Sequence, residues 1–287
     1  MKLDVPFNLD ATLCCGQTFR WNKSGDWWFG VVGDRVVKIR QTAGTLEFTG
    51  NVDDYFIKHY FSLDHDLQRI SGEIGKDPYV KAALQEFWGL RILRQPKWEC
   101  LVSFICATYK SVAAIRQMLN KLAVKLGEKK VFDGSDFYSF PSSEQVAAAS
   151  LRDLESCGLG YRARYIQETS RQIHTGKTDL EALRKLPCDQ GRKELRQLAG
   201  VGSKVADCVL LFSMDKLESF PVDVWVKRIL LRHYAEHLPD ALVKKLSSRK
   251  NFTNTEYEEL NRFGREYFGK YAGYAQEYLY HHERLNR

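Results

Sequence analysis

The chain has 287 residues, enough for two domains, and its 44% hydrophobic share supplies a substantial core. Its net charge of +7 permits a polyanionic partner without demonstrating one. No apolar run is long enough to span a bilayer, and the start MKLDVPFNLD lacks the apolar stretch of a secretory signal. The protein is therefore expected inside the cell, in a prokaryotic cytoplasm or a nucleus, neither secreted nor bound to a membrane.

The 7 cysteines are odd in number and form no C-x-x-C pair, and none follows Cys208. Reduced thiols fit this pattern better than a disulfide framework. A zinc ribbon and a C-terminal four-cysteine iron–sulfur cluster are excluded. No metal and no cofactor is expected.

In chain order, the first fifty residues read as β structure. Trp27–Gln41, WWFGVVGDRVVKIRQ, is two β-rich segments around Gly33–Asp34, a two-residue turn of hairpin type, and the short strand LEFTG follows. From about Asp53 the apolar spacing becomes helical, as in YVKAALQEFWG. Pro96 opens the helical stretch WECLVSFICATYK. Short helices punctuated by Gly or Pro continue to the end, among them YRARYIQETSRQIHTG, CDQGRKELRQLAG and DVWVKRILLRHY. This predicts an α+β fold: an antiparallel β-rich N-terminal domain with linking helices over residues 1–95, then an all-α domain over 96–287.

The segment LRQLAGVGSKVADCVLL, Leu195–Leu211, carries the most chemistry. A helix ends near Leu198, Gly200 and Gly202 bracket Val201 in a tight turn, and Ser203 is expected to cap the next helix. Two glycines permit positive φ and close approach of the backbone to a ligand. A turn followed by a helix start presents free N–H groups, which suit a DNA phosphate and read no sequence. Lys204 falls in the first helical turn, where the dipole disfavours an ammonium; a neutral amine attacks carbon and forms a Schiff base. An ordinary surface lysine touching phosphate is the competing reading. Asp223, in FPVDVW, is expected to cap the following helix, and a carboxylate near the hairpin can also stabilise a cationic sugar.

These residues resemble the helix-hairpin-helix superfamily of DNA glycosylases, in the lysine-bearing branch that combines glycosylase and lyase activities. GQTFRW at Gly16–Trp21, GLGYRARY at Gly158–Tyr165 and YAGYAQEYLY at Tyr271–Tyr280 are similar to motifs of the eukaryotic-type 8-oxoguanine DNA glycosylases, in matching order over nearly the whole chain. The resemblance implies a monomeric base-excision repair enzyme acting on damaged double-stranded DNA. Lys204 is then the nucleophile, and Asp223 the stabilising carboxylate. The base would be held by Gly16, Cys208, Gln276 and Tyr280. The DNA would be held by Tyr161, Arg162 and the hairpin residues Gly200, Val201, Gly202 and Ser203. Gly16 would offer its carbonyl to the N7–H that distinguishes 8-oxoguanine from guanine, worth roughly 1–3 kcal/mol because guanine leaves two acceptors facing each other. Tyr271, Tyr274 and Tyr278 read as core.

The chain departs from the family at three places. Tyr109-Lys110-Ser111 stands where the family has an asparagine run, Ala114 where it has arginine, and Trp225 where it has histidine. The first two belong to recognition of cytosine opposite the lesion, so a relaxed preference for the opposite base is expected. Two other readings stay open: a monofunctional glycosylase for alkylated bases using Asp223 alone, and a non-catalytic damage-binding protein.

Overall fold

The computed structural model describes residues 1–249 and 251–286. A short helix, α1 (Leu9–Cys14), capped by the Asn8 side chain, precedes four strands: β1 (Trp21–Ser24), β2 (Trp27–Val32), β3 (Arg35–Thr42) and β4 (Thr45–Gly50). They form an antiparallel meander in the order β1-β2-β3-β4. The hairpin falls where the sequence put it: Val32 pairs with Arg35, and Gly33 takes φ 63° at the turn. On β3 the period of two separates Val37 and Ile39, which are buried, from Lys38 and Arg40, whose cations lie 5.0 and 4.5 Å from the Trp27 ring centroid.

The helices α2 (Asp54–Tyr60), α3 (Leu67–Ile74) and α4 (Pro78–Glu86) each begin at an aspartate, Asp53, Asp66 and Asp77, whose carboxylate accepts a first-turn N–H. Pro96 opens α5 (Lys97–Ala107), and α6 (Val112–Leu126) follows. A two-stranded hairpin, β5 (Lys129–Phe132) with β6 (Ser135–Tyr138), then interrupts what the sequence suggested was wholly helical. The remaining helices are α7 (Ser143–Ala148), α8 (Leu151–Leu154), α9 (Arg162–His174), α10 (Leu180–Lys185), α11 (Cys188–Leu195), α12 (Ser203–Met214), α13 (Val224–His233), α14 (Asp240–Ser247), α15 (Asn254–Phe268) and α16 (Ala272–Leu285). No helix among the described residues is long and apolar enough to cross a membrane.

Two cores form, and they interleave along the chain. The smaller one packs Phe7, Leu13, Trp21, Ile39, Phe61 and Leu93 around the sheet. The larger one takes the helices from α5 onward, but also Ala11, Cys15, Phe19 and the inner faces of α3 and α4. A line drawn at residue 95 therefore divides the chain without dividing the cores. Helix α16 joins the two parts. Its Tyr274 and Tyr278 are fully buried, with the Tyr274 hydroxyl 2.9 Å from His65 Nδ1 and the Tyr278 hydroxyl donating to the Leu90 carbonyl at 3.2 Å. Tyr271 packs half-buried beside them.

Candidate active site

Helix α11 ends at Leu195, and the turn that follows closes with the Val201 N–H on the Leu198 carbonyl at 3.1 Å. Gly200 is the residue with positive φ, 77°, and a Cβ there would sit 2.9 Å from Tyr165 Cβ. Its freedom thus serves packing of the turn on α9. Gly202 differs from expectation: its φ is −87°, ordinary extended backbone, and nothing lies within 4 Å of where its Cβ would be. It caps α12 with no side-chain hydrogen bond, so the first N–H groups of α12 keep their capacity for an anion.

Ser203 is not the cap. It is the first residue of α12, buried, with its hydroxyl 2.9 Å from Asn254 Oδ1 and 2.8 Å from Glu258 Oε1 on α15. Arg192 of α11 reaches the same Glu258 at 2.6 Å and lies 3.0 Å from Asp207 of α12, while the Tyr257 hydroxyl donates to Asp207 at 2.5 Å. This network, buried at Ser203, Asp207 and Tyr257, fixes both arms of the hairpin to α15. Sequence reasoning missed it because its members lie some fifty residues apart.

Lys204 is half-buried, with Nζ 5.0 Å from the Phe104 ring centroid on α5. One helical turn later Cys208 is buried, and burial pushes its thiol up to about 12 despite the nearby Lys204 ammonium. Asp223 caps α13 as expected, accepting the N–H groups of Trp225 at 2.8 Å and Val226 at 2.9 Å. Both bonds use Oδ1. Burial raises the Asp223 carboxyl above its ordinary value, against the opposing pull of those N–H groups and of Lys204.

Of the residues expected to hold the base, Gly16 and Tyr280 meet directly. Gly16 takes φ 101°, and a Cβ there would be 3.3 Å from Tyr280 Cε1 and 3.0 Å from Arg284 Nη1, so only glycine lets the loop approach α16 this closely. Gln276 is buried, and its Oε1 has no hydrogen-bond partner among the described residues. The Tyr280 hydroxyl is raised by burial and by the charge of Asp223, which ties α16 electrostatically to the start of α13.

Tyr161 is 57% exposed, as expected, but Arg162 is 4% exposed. Its guanidinium donates to the Thr108 carbonyl and lies 4.4 Å from the Tyr161 ring centroid. The arginine therefore braces the Tyr161 corner against the loop after α5 and is not presented to solvent. That loop carries Tyr109, 82% exposed, at φ 56°. Phe104, Glu277 and Arg284 were not singled out from sequence; an acid inside the aromatic stripe YAGYAQEYLY is the one signal that pointed to Glu277.

A helical domain whose hairpin carries a lysine, faced by a helix-capping aspartate, defines the class of helix-hairpin-helix base-excision repair proteins. The family description "HhH-GPD superfamily base excision DNA repair protein" matches residues 102–255, and "8-oxoguanine DNA glycosylase, N-terminal domain" matches residues 2–101. The chain is 31% identical to the N-glycosylase/DNA lyase of Arabidopsis thaliana over 95% of its own length and 76% of that protein. It is 32% identical to the N-glycosylase/DNA lyase of Saccharomyces cerevisiae over 96% of its length and 83% of that protein. The Clostridium acetobutylicum 8-oxoguanine glycosylase/lyase, solved with double-stranded DNA containing cytosine opposite 8-oxoguanine, superposes with a TM-score of 0.87 at 31% identity, covering 98% of this chain and 92% of that one. The chain belongs to the 8-oxoguanine DNA glycosylase family.

Proposed function

We propose that this chain is a bifunctional N-glycosylase/DNA lyase of base excision repair that removes 8-oxoguanine from duplex DNA, with Lys204 as nucleophile. The carrying observation is the half-buried Lys204 at the uncapped start of α12, next to Cys208 and within electrostatic reach of Asp223. The start of α12 holds backbone phosphate, Tyr161 enters the space left by the extruded base, and Arg162 holds that corner in place. Extrusion takes the lesion against Gly16, Cys208, Gln276 and Tyr280, where the Gly16 carbonyl accepts N7–H and Gln276 reads the Watson–Crick edge. The Lys204 amine attacks C1′, the N-glycosidic bond breaks toward the base, and Asp223 stabilises the positive charge that gathers on the sugar. The resulting Schiff base makes the C2′ proton acidic, and its loss expels the 3′ phosphate by β-elimination. The work belongs where the genome is, in a prokaryotic cytoplasm or a nucleus.

Recognition of the opposite base is relaxed in this reading. Where the family has an asparagine, the chain exposes the Tyr109 ring, which offers a stacking face to any base and no donor pattern specific to cytosine.

Borohydride trapping on duplexes with one 8-oxoguanine opposite cytosine or adenine tests both points. Wild type is expected to give a covalent adduct in either context, at rates within about tenfold of each other, and Lys204→Gln none. Base release without an adduct would leave Asp223-promoted hydrolysis as the mechanism. A strong preference for cytosine would overturn the role given to Tyr109.

A further inference from the structure

Lys204 and Asp223 stand on different elements, α12 and the start of α13, joined by residues 215–222. Their mutual geometry is therefore set by whatever fixes the end of that connection to α12. One face of α15 does so. Tyr257, Asn261 and Gly264 recur at helical spacing and lie on one side of the helix. A Cβ at Gly264 would stand 2.3 Å from Phe220 Cδ1, so α15 runs against the connection with no room for a side chain. The Asn261 amide donates to the Phe220 carbonyl at 2.8 Å and to Asp207 Oδ2 of α12 at 3.1 Å. Both partners are acceptors, which fixes the amide nitrogen on this side. The Tyr257 hydroxyl donates to the same Oδ2 at 2.5 Å and accepts from the Val222 N–H at 3.4 Å. Val222 directly precedes Asp223, and Asp207 lies one turn of α12 beyond Lys204. Tyr257, Asn261, Asp207, Phe220 and Val222 are all buried, so water does not compete for these bonds.

We propose that Tyr257 and Asn261 are positioning residues for base release: each bridges Asp207 to the backbone just before Asp223, and together they hold the Asp223 carboxylate in register with the Lys204 amine. This rests on the reading of those two residues given above. Attack on C1′ and stabilisation of the charge on the sugar must act on one sugar at one time. A misplacement of about an ångström between such groups costs up to about a hundredfold in rate. The tethers are two, the Phe220 carbonyl and the Val222 N–H, and they meet at a single carboxylate oxygen of Asp207. Loss of one donor therefore loosens the register and leaves the other tether in place. A packing role alone would give a different pattern: lower stability and weaker DNA binding, with a rate cost that does not depend on Asp223.

The test uses Tyr257→Phe, which removes the hydroxyl and keeps the ring, and Asn261→Leu, which keeps the volume and removes both donors. Each is made alone and together with Asp223→Asn. Single-turnover release of 8-oxoguanine, affinity for lesion DNA and thermal unfolding are measured on the same samples, at a temperature below the onset of unfolding for every variant. Tyr257→Phe and Asn261→Leu are each expected to slow release roughly tenfold, with affinity within about twofold of wild type. Added to Asp223→Asn, they should cost less than about twofold more, because the register they keep serves a carboxylate that is gone. Should Asn261→Leu fail to fold, Tyr257→Phe, which lacks a single oxygen, carries the comparison. Tenfold losses that persist in Asp223→Asn overturn the proposal. So does unchanged release by both variants, or a fall in affinity that matches the fall in rate. Wild-type release by Asp223→Asn alone would instead overturn the reading of Asp223 on which the proposal rests.

Discussion

Asp223 uses Oδ1 to cap α13, through two N–H groups, while no hydrogen bond of Oδ2 occurs among the described residues. Capping and catalysis can therefore be separated by substitution. Asparagine caps a helix about as well as aspartate, so Asp223→Asn should keep the fold and the affinity for lesion DNA. Without the negative charge, the cationic sugar loses its stabilisation, and base release should fall by roughly a hundredfold or more. Thermal unfolding, DNA affinity and single-turnover release on the same samples check this. A variant that unfolds early would show that the cap, and not the charge, is what the position needs. Arg162 shows the opposite relation between residue and role. Tyr161 and Arg162 were both expected to hold DNA, but Arg162 turns inward to the Thr108 carbonyl while Tyr161 faces solvent.

At the level of the element, the hairpin's two glycines divide the labour. Gly200 occupies positive φ and touches Tyr165, whose ring in turn packs edge-on against Tyr161 at 5.9 Å. Gly202 has ordinary backbone and an open side. Gly200→Ala should lower stability by about 1–3 kcal/mol, from left-handed strain plus displacement of Tyr165. Gly202→Ala should leave stability unchanged and weaken DNA binding, because the added methyl stands where phosphate approaches. Denaturant unfolding and DNA titration of both variants read the difference; a Gly202→Ala protein that binds like wild type would remove the hairpin backbone from the interface. The sequence could display the hairpin because its signals are local: Gly-x-Gly, then a lysine, then an apolar helical run. The Gly33–Asp34 turn and the Asp223 cap were legible for the same reason. Ser203 looked like a cap by residue type, yet its hydroxyl is captured by Asn254 and Glu258, and no local rule reports a partner fifty residues away. The β5–β6 hairpin escaped notice because its strands are short and bury no residue, so they lack the apolar alternation that marks a strand.

For the whole molecule, buried histidines and buried acids set the response to pH, and they pull in opposite directions. Burial lowers His65 and His281 from 6.5 to about 4. Between those values the unfolded chain binds protons that the folded chain refuses, so stability from the histidines rises with pH over this window. Burial raises Asp207 from 3.8 to about 6, against the pull of Arg192, and raises Glu277 from 4.5 to about 7. The folded chain then keeps protons that the unfolded chain has released, and stability from these acids is lost as pH climbs toward their folded values. From 4.5 to about 6 the slopes contributed by these four groups oppose one another. Glu277→Gln removes one acid from this balance. Relative to wild type, the variant should gain about 1.4 kcal/mol per pH unit between the unfolded and folded values of that carboxyl, and nothing further above about 7. Denaturant unfolding at unit steps from about pH 5 to about pH 8 measures the difference. Parallel curves for the two proteins would show that Glu277 takes its proton at the ordinary carboxyl value.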